Sequence, residues 1–340
     1  MTFWPGSFAT VGVCLVAIAC SASAMGAPVT LHVSTKGNDG WAGTSRQERA
    51  PDGPFATLGR AREELRRLKA AGELSEGATL QVLPGTYYLE ETLELGPEGS
   101  GTDAAPIIYR SLEPGRAVLC GGKVITGFRP YRGEILQCDM KANGLAGHRF
   151  RQLFFRGERQ ELARYPNVDP DDPHGGEWAH VAVVKGKENY TEFTYGEDEK
   201  HEWAHPEEGR VPIFGGRDWA FKIVPIARHI PQERKIVLGG RTWGALAVGD
   251  RYIIRGLFEE LDAPGEWYLD PRTDALHFWP PSDIGEGDVV VPVVSSLVSM
   301  QRAQGITVQG FLMEACEGDA VRVIDSQNCL VAGNTVRNCG

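Results

Sequence analysis

Gln304-Gly305-Ile306-Thr307-Val308-Gln309-Gly310 aligns with Gln327-Asn328-Cys329-Leu330-Val331-Ala332-Gly333. The offset is constant: Gly310 to Gly333 is 23 residues, and so is Cys316 to Cys339. A short β-rich unit repeating at this length predicts a solenoid, with each repeat one coil stacked on the last. The regular copies come last in the 340 residues. The chain therefore reads as the N-terminal part of a longer protein.

Composition agrees with many short strands and turns. Gly (42) and Pro (21) are abundant, and helix-forming runs are few. The formal net charge is -10. An acidic surface repels phosphate backbones, so nucleic acid is not an expected partner. The same charge disfavours a strongly anionic polymer, unless a local basic cleft overrides it.

Phe8 to Ala24 is apolar and small, and Ala22-Ser23-Ala24 fits a small-x-small cleavage site. Residues 1–24 are read as a signal peptide, cleaved near Ala24 to give a secreted or periplasmic protein. The alternative is a lipoprotein with Cys20 as the lipidated residue. The run is too short for a membrane span. Cleavage leaves Cys120, Cys138, Cys316, Cys329 and Cys339, an odd number that cannot all pair. Cys316 and Cys339, one repeat apart, should stack, as free thiols or as a disulfide.

Thr30 to Ser34 alternates like a strand, and Gly37-Asn38-Asp39-Gly40 is a turn. Phe55, Leu58, Ala61, Leu65 and Leu68 recur at helical spacing, and Gly72 is a stop signal. This predicts one amphipathic helix over 57–71, placed to cap the open end of the first coil. Residues 78–95, 106–109 and 117–119 read as further strands. Between 128 and 292 the repeat disappears and tryptophans concentrate, which predicts a β-rich insertion.

Several stretches carry a family resemblance. They are GNDGWAGTS (37–45), DGPFATLGRARE (52–63), LPGTYYLEETLEL (83–95), GSGTDAAPIIYRS (99–111) and GGKVITGF (121–128). FFRGERQELARYPN (154–167), LDAPGEWYLD (261–270) and LHFWPP (276–281) follow in the same order. With the repeats after them, the chain resembles bacterial right-handed parallel β-helix proteins related to glycoside hydrolase family 141, which includes fucosidase and xylanase activities. The resemblance implies that the catalytic carboxylates lie on later coils, beyond Gly340.

A glycosidase needs two carboxylates about 5–10 Å apart. Asp262, Glu266 and Asp270 are the first candidates, and Glu314, Glu317, Asp319 and Asp325 follow; none can be paired from sequence. The Asp262–Trp267 segment also reads as a structural turn around Pro264-Gly265. Trp178 and Trp203 lie in the most polar surroundings and are the expected sugar-facing tryptophans; the others read as core anchors. Arg164 offers its guanidinium to a substrate cleft or to backbone carbonyls. His201-Glu202-Trp203-Ala204-His205 matches H-E-x-x-H, but Pro206 disfavours a helix there and the flanks read as a polar loop. No metal or other cofactor is expected.

The expected fold is thus all-β: a right-handed parallel β-helix (solenoid) with an N-terminal capping helix and an inserted β-rich subdomain. The expected division is 1–24 signal peptide, 25–127 cap and first coils, 128–292 insertion and 293–340 coils. The expected function is that of an exported carbohydrate-active protein, a glycoside hydrolase on plant or algal polysaccharide. The alternatives are a β-helix polysaccharide lyase using calcium, and a non-catalytic glycan-binding scaffold. The expected partner is a polysaccharide or oligosaccharide; the oligomeric state is open.

Overall fold

We describe the protein from a computed structural model, over Met1, residues 27–172 and residues 177–340. The expected signal peptide lies outside the described residues, apart from Met1. Among the described residues no helix is long and apolar enough to cross a membrane.

Three sheets are parallel. The first runs Val29–Val33, Ala78–Val82, Ile107–Ser111, Ile306–Gln309, Leu330–Ala332. The second runs Gly85–Tyr88, Ala117–Cys120, Leu312–Glu314, Thr335–Val336. The third is Leu93–Leu95, Val298–Gln301, Val321–Ile324. Alternate residues of these strands point to one shared core, where Leu80, Tyr109, Val308, Leu119, Met313 and Met300 are all buried. The 23-residue offset is the register itself. It pairs Val308 with Val331, Met313 with Val336 and Met300 with Val323, and it bridges Cys316 to Cys339. All five cysteines from Cys120 onward are free thiols.

The helix spans Leu58–Ala70. Thr57 caps it by accepting from the Arg60 N–H, and Leu58, Ala61, Leu65 and Leu68 pack into the same core.

The expected all-β right-handed parallel β-helix is corrected: the chain does not form a single solenoid. It builds parallel and antiparallel sheets with one α-helix among the described residues, and the two largest sheets are eight-stranded and mainly antiparallel. The cause is local. Parallel neighbours need crossovers, whereas residues 122–292 return by tight turns. Arg156 (φ 50°) and Gly157 (φ 80°) join Leu153–Phe155 to Glu158–Leu162. Positive φ at both central residues is the two-residue hairpin geometry that suits strand twist.

One eight-stranded sheet runs Gly122–Ile125, Val289–Pro292, Leu153–Phe155, Glu158–Leu162, Glu266–Leu269, Ala275–Phe278, Ile135–Asp139, Arg129–Arg132. The other runs Arg164–Tyr165, Ile254–Arg255, Arg210–Phe214, Phe221–Ile230, Lys235–Leu238, Glu192–Thr194, with Ala179–His180 and Arg251–Tyr252 alongside. The chain crosses between them at Ala163, which is fully buried. Its N–H donates to the Trp267 carbonyl at 2.8 Å, and its carbonyl accepts from the Gly256 N–H at 2.8 Å.

The shared register does not bring equal burial to Val308 and Val331. Val308 is 1% exposed but Val331 is 43% exposed, because Val331 lies on the outermost strand of its sheet. Val308→Thr places a hydroxyl in an apolar core and should destabilise by about 1–3 kcal/mol. Val331→Thr should stay within about 0.5 kcal/mol. Urea unfolding of the two variants checks this, and equal losses would contradict the assigned packing.

Candidate functional site

Period-two alternation turns one face of the second eight-stranded sheet toward a core and the other toward an open cleft. Val211, Ile213, Val224, Ile226 and Ile254 face the core. Arg210, Pro212, Phe221, Ile223, Ile253 and Arg255 take the alternate positions and line the cleft, whose volume is about 800 Å³. The first eight-stranded sheet contributes Glu161, Leu162, Trp267 and Tyr268 to its other side.

A row of arginines crosses the cleft. Arg255 is directly opposite Arg164 on one neighbouring strand and Arg210 on the other. Directly opposed like charges destabilise a sheet. Arg164 is satisfied: its Nε donates to the Pro166 carbonyl at 2.7 Å and its Nη2 to the Glu177 carbonyl at 3.1 Å. Arg255 is not, because its Nε is buried without a hydrogen-bond partner. Burial lowers the Arg255 pKa; Glu161 opposes this, and Arg151, Arg164 and Arg210 reinforce it. Arg210 is exposed and makes no side-chain hydrogen bond or ion pair among the described residues.

The walls are aromatic and aliphatic. Trp178 is half-buried and meets Phe214 edge-to-face at 5.5 Å. The Arg251 guanidinium lies 5.3 Å from the Trp178 ring centroid and 4.2 Å from that of Phe214. This orients the indole toward the cleft as a firm platform. Phe221 and Ile223 are 41% and 42% exposed. A pyranose presents an apolar patch of axial C–H bonds, and such a wall complements it.

The three expected carboxylates are all engaged in hydrogen bonds within the protein. Glu266 is 3% exposed. It accepts from the N–H groups of Asp262 (3.0 Å), Ala263 (3.2 Å) and Arg164 (3.3 Å). Burial pushes its pKa up to about 7, against the pull of those three donors. Asp262 lies beside it and accepts from Asn167 Nδ2 at 3.0 Å. Asp270 follows the other end of the strand Glu266–Leu269. It opens on a smaller cavity of about 230 Å³ shared with Glu208, Tyr268 and Arg272. Burial works against the Asp270 carboxylate, but the N–H and guanidinium of Arg272 outweigh it and hold the pKa low. Tyr268 donates to Glu208, which also pairs with Arg272 at 3.3 Å. The structure therefore brings Asp262 and Glu266 together, with Asp270 in a separate ion-pair network.

Trp203 is corrected as a sugar-facing residue. It is 8% exposed, stacks on His201 at 4.6 Å and donates its indole N–H to Glu260 at 2.5 Å. Of the acidic flank that suggested exposure, Glu199 turns inward, while Glu197, Asp198 and Glu202 stay exposed. His201 contacts Glu260 at 3.2 Å and Glu199 at 3.4 Å, and Tyr252 donates to Glu199 at 2.8 Å. Burial disfavours a charged His201, but the two carboxylates outweigh it and raise its pKa. His205 instead turns to Glu207 at 3.4 Å, and Pro206 opens a 3-10 turn. H-E-x-x-H is thus not helical here, and no cluster of three or more potential ligands among the described residues could hold a metal ion.

Arg210 and Arg255 were not expected from sequence. The available signal was an arginine in each of three short strands, Arg164-Tyr165, Arg210–Phe214 and Ile254–Arg255. Only the pairing between strands aligns them.

Neither a protein-family model nor a curated protein matches the sequence. The fold is similar to that of a solved protein described as a glycoside hydrolase, with a TM-score of 0.67 and 20% identity. The match covers 84% of this chain and 50% of that one, so the chain spans about half the neighbour's length. Two looser likenesses carry no argument. XylC in complex with xylose gives a TM-score of 0.34 at 15% identity, covering 86% of this chain and 41% of that one. A tailspike of Acinetobacter baumannii bacteriophage AP22 with capsular saccharide gives 0.20 at 10%, covering 80% and 43%.

The buried Glu266 carboxyl sets a pH dependence. Its folded pKa of about 7 exceeds the ordinary glutamate value of 4.5. Its stabilising contribution is therefore full below about pH 4.5 and is lost as pH rises through about 7, by on the order of 3 kcal/mol. Glu266→Gln should flatten this part of the stability–pH curve between pH 4.5 and 8. Parallel curves for the two proteins in urea unfolding would contradict the assignment.

Proposed function

We propose that this chain is the saccharide-recognising part of an exported carbohydrate-active protein of the glycoside hydrolase kind. The observation that carries the reading is the cleft of about 800 Å³, in which one sheet face sets a row of hydrogen-bond donors beside Trp178, Phe221 and Ile223. Clefts that combine apolar walls with a few convergent polar groups are the usual form of small-ligand sites. The fold likeness to a glycoside hydrolase supports it, and the family 141 resemblance points to fucosyl or xylosyl residues within the polymer.

Trp178 supplies the ring face against which a sugar stacks, and Arg164 fixes the cleft wall through its carbonyl bonds. Hydrolysis needs two carboxylates with access to one glycosidic bond. Asp262, Glu266 and Asp270 are each bonded to structural partners and are not the pair in this reading. Residues 27–340 are therefore assigned a binding role.

Isothermal titration with xylo-oligosaccharides, fucosylated oligosaccharides and oligogalacturonates tests the proposal. At least one should bind, Trp178→Ala should weaken it about tenfold, and no reducing ends should accumulate. Absence of binding to all three would overturn the proposal. Rapid turnover would overturn the division between binding and chemistry.

A further inference from the structure

Building on the saccharide-binding reading, we infer that the cleft selects an acidic sugar, whose oxyanion seats on the row Arg164–Arg255–Arg210. Three arginines in cross-strand register are costly unless an anion lies among them, because opposed like charges repel. The chain supplies little compensation. Arg164 is turned to two carbonyls, which carry no net charge. Arg255 keeps a buried Nε–H without an acceptor. Arg210 faces solvent without a carboxylate partner among the described residues. Glu161 is the one carboxylate that opposes both Arg164 and Arg255 electrostatically.

An entering oxyanion would pair with the Arg255 guanidinium, which lines the cleft, and neutralise the row in a single step. A guanidinium presents a planar fork of donors that matches two oxygens of one acidic group, and such charge-assisted pairs are the strong kind. Trp178 and Phe221 line the same cleft and offer an apolar face on which a sugar unit of the bound oligosaccharide can stack. The overall charge of -10 does not prevent this. Exposed charges more than about 10 Å away are screened at 0.1 M salt, and the arginine row dominates inside the cleft. A uronate carboxylate and a sulfate ester share the chemistry required.

The experiment is calorimetric titration of the folded chain with trigalacturonate, a sulfated galactan oligosaccharide and neutral xylotriose. An acidic probe should bind at least tenfold tighter than xylotriose, and its affinity should fall as NaCl rises from about 50 to 500 mM. Tighter binding of trigalacturonate names a carboxylate as the oxyanion; tighter binding of the sulfated probe names a sulfate. Arg255→Met should lower acidic-probe affinity at least tenfold. Arg210→Gln, at an exposed position that folding tolerates, should lower it about fivefold, and Arg129→Gln on a distant strand should not. The inference is overturned if xylotriose binds as tightly as the acidic probes, or if Arg210→Gln and Arg255→Met both bind like the parent. If xylotriose alone binds, the saccharide reading stands and the acidic site falls. If none of the probes binds, the acidic site falls, and titration with the fucosylated oligosaccharides decides the saccharide reading.

Discussion

The cleft depends on one seam, where the chain passes from the first eight-stranded sheet to the second. Ala163 sits in it with both backbone groups bonded, to Trp267 on one sheet and to Gly256 beside the other. Glu266 closes the same seam from the side. Its carboxylate gathers the N–H groups of Asp262, Ala263 and Arg164, so one buried side chain holds a turn, the end of a strand and the first arginine of the row. A buried carboxyl is tolerable only with such partners, since an unsatisfied one costs several kcal/mol. The positions of Arg164, and through strand pairing of Arg255 and Arg210, follow from that seam.

Two kinds of polar burial are therefore present. Around Trp203, the carboxylates Glu199 and Glu260 meet His201, Tyr252 and the indole N–H, and donors and acceptors match. A network completed in this way stiffens the structure beneath the cleft. In the arginine row the match fails: donors exceed acceptors and positive charge exceeds negative. Strain of this sort concentrates at sites that meet a ligand, and the aromatic side chains on the same sheet make a sugar the fitting one.

Much of the local structure was legible in the sequence. The spacing Leu58, Ala61, Leu65, Leu68 and the stop at Gly72 gave the helix to within a residue. The constant offset gave the parallel register of Val308 with Val331 and the bridging of Cys316 with Cys339. The extrapolation from that repeat to one solenoid failed, because two similar copies say nothing about the hairpins that dominate residues 122–292. Arg156 in a left-handed conformation beside Gly157 is one such turn, and arginine is not a residue that announces it. Trp203 was misplaced because its polar flanks suggested a solvated loop, whereas Glu199 turns inward to His201 and the distant Glu260 accepts from the indole. The arginine row was invisible for a related reason. Residues 164, 210 and 255 are far apart in the chain, and only the strand register aligns them. Arg164 itself was readable as a bonding partner for carbonyls, and that is what it does.

The most direct test of the account is a crystal structure of the chain with a bound acidic oligosaccharide. The expected complex has an acidic group within about 3 Å of the Arg255 guanidinium and a sugar ring of the same oligosaccharide against Trp178, between the two eight-stranded sheets. A saccharide bound on the parallel sheets or at the small cavity beside Asp270, with the arginine row left empty, would contradict it.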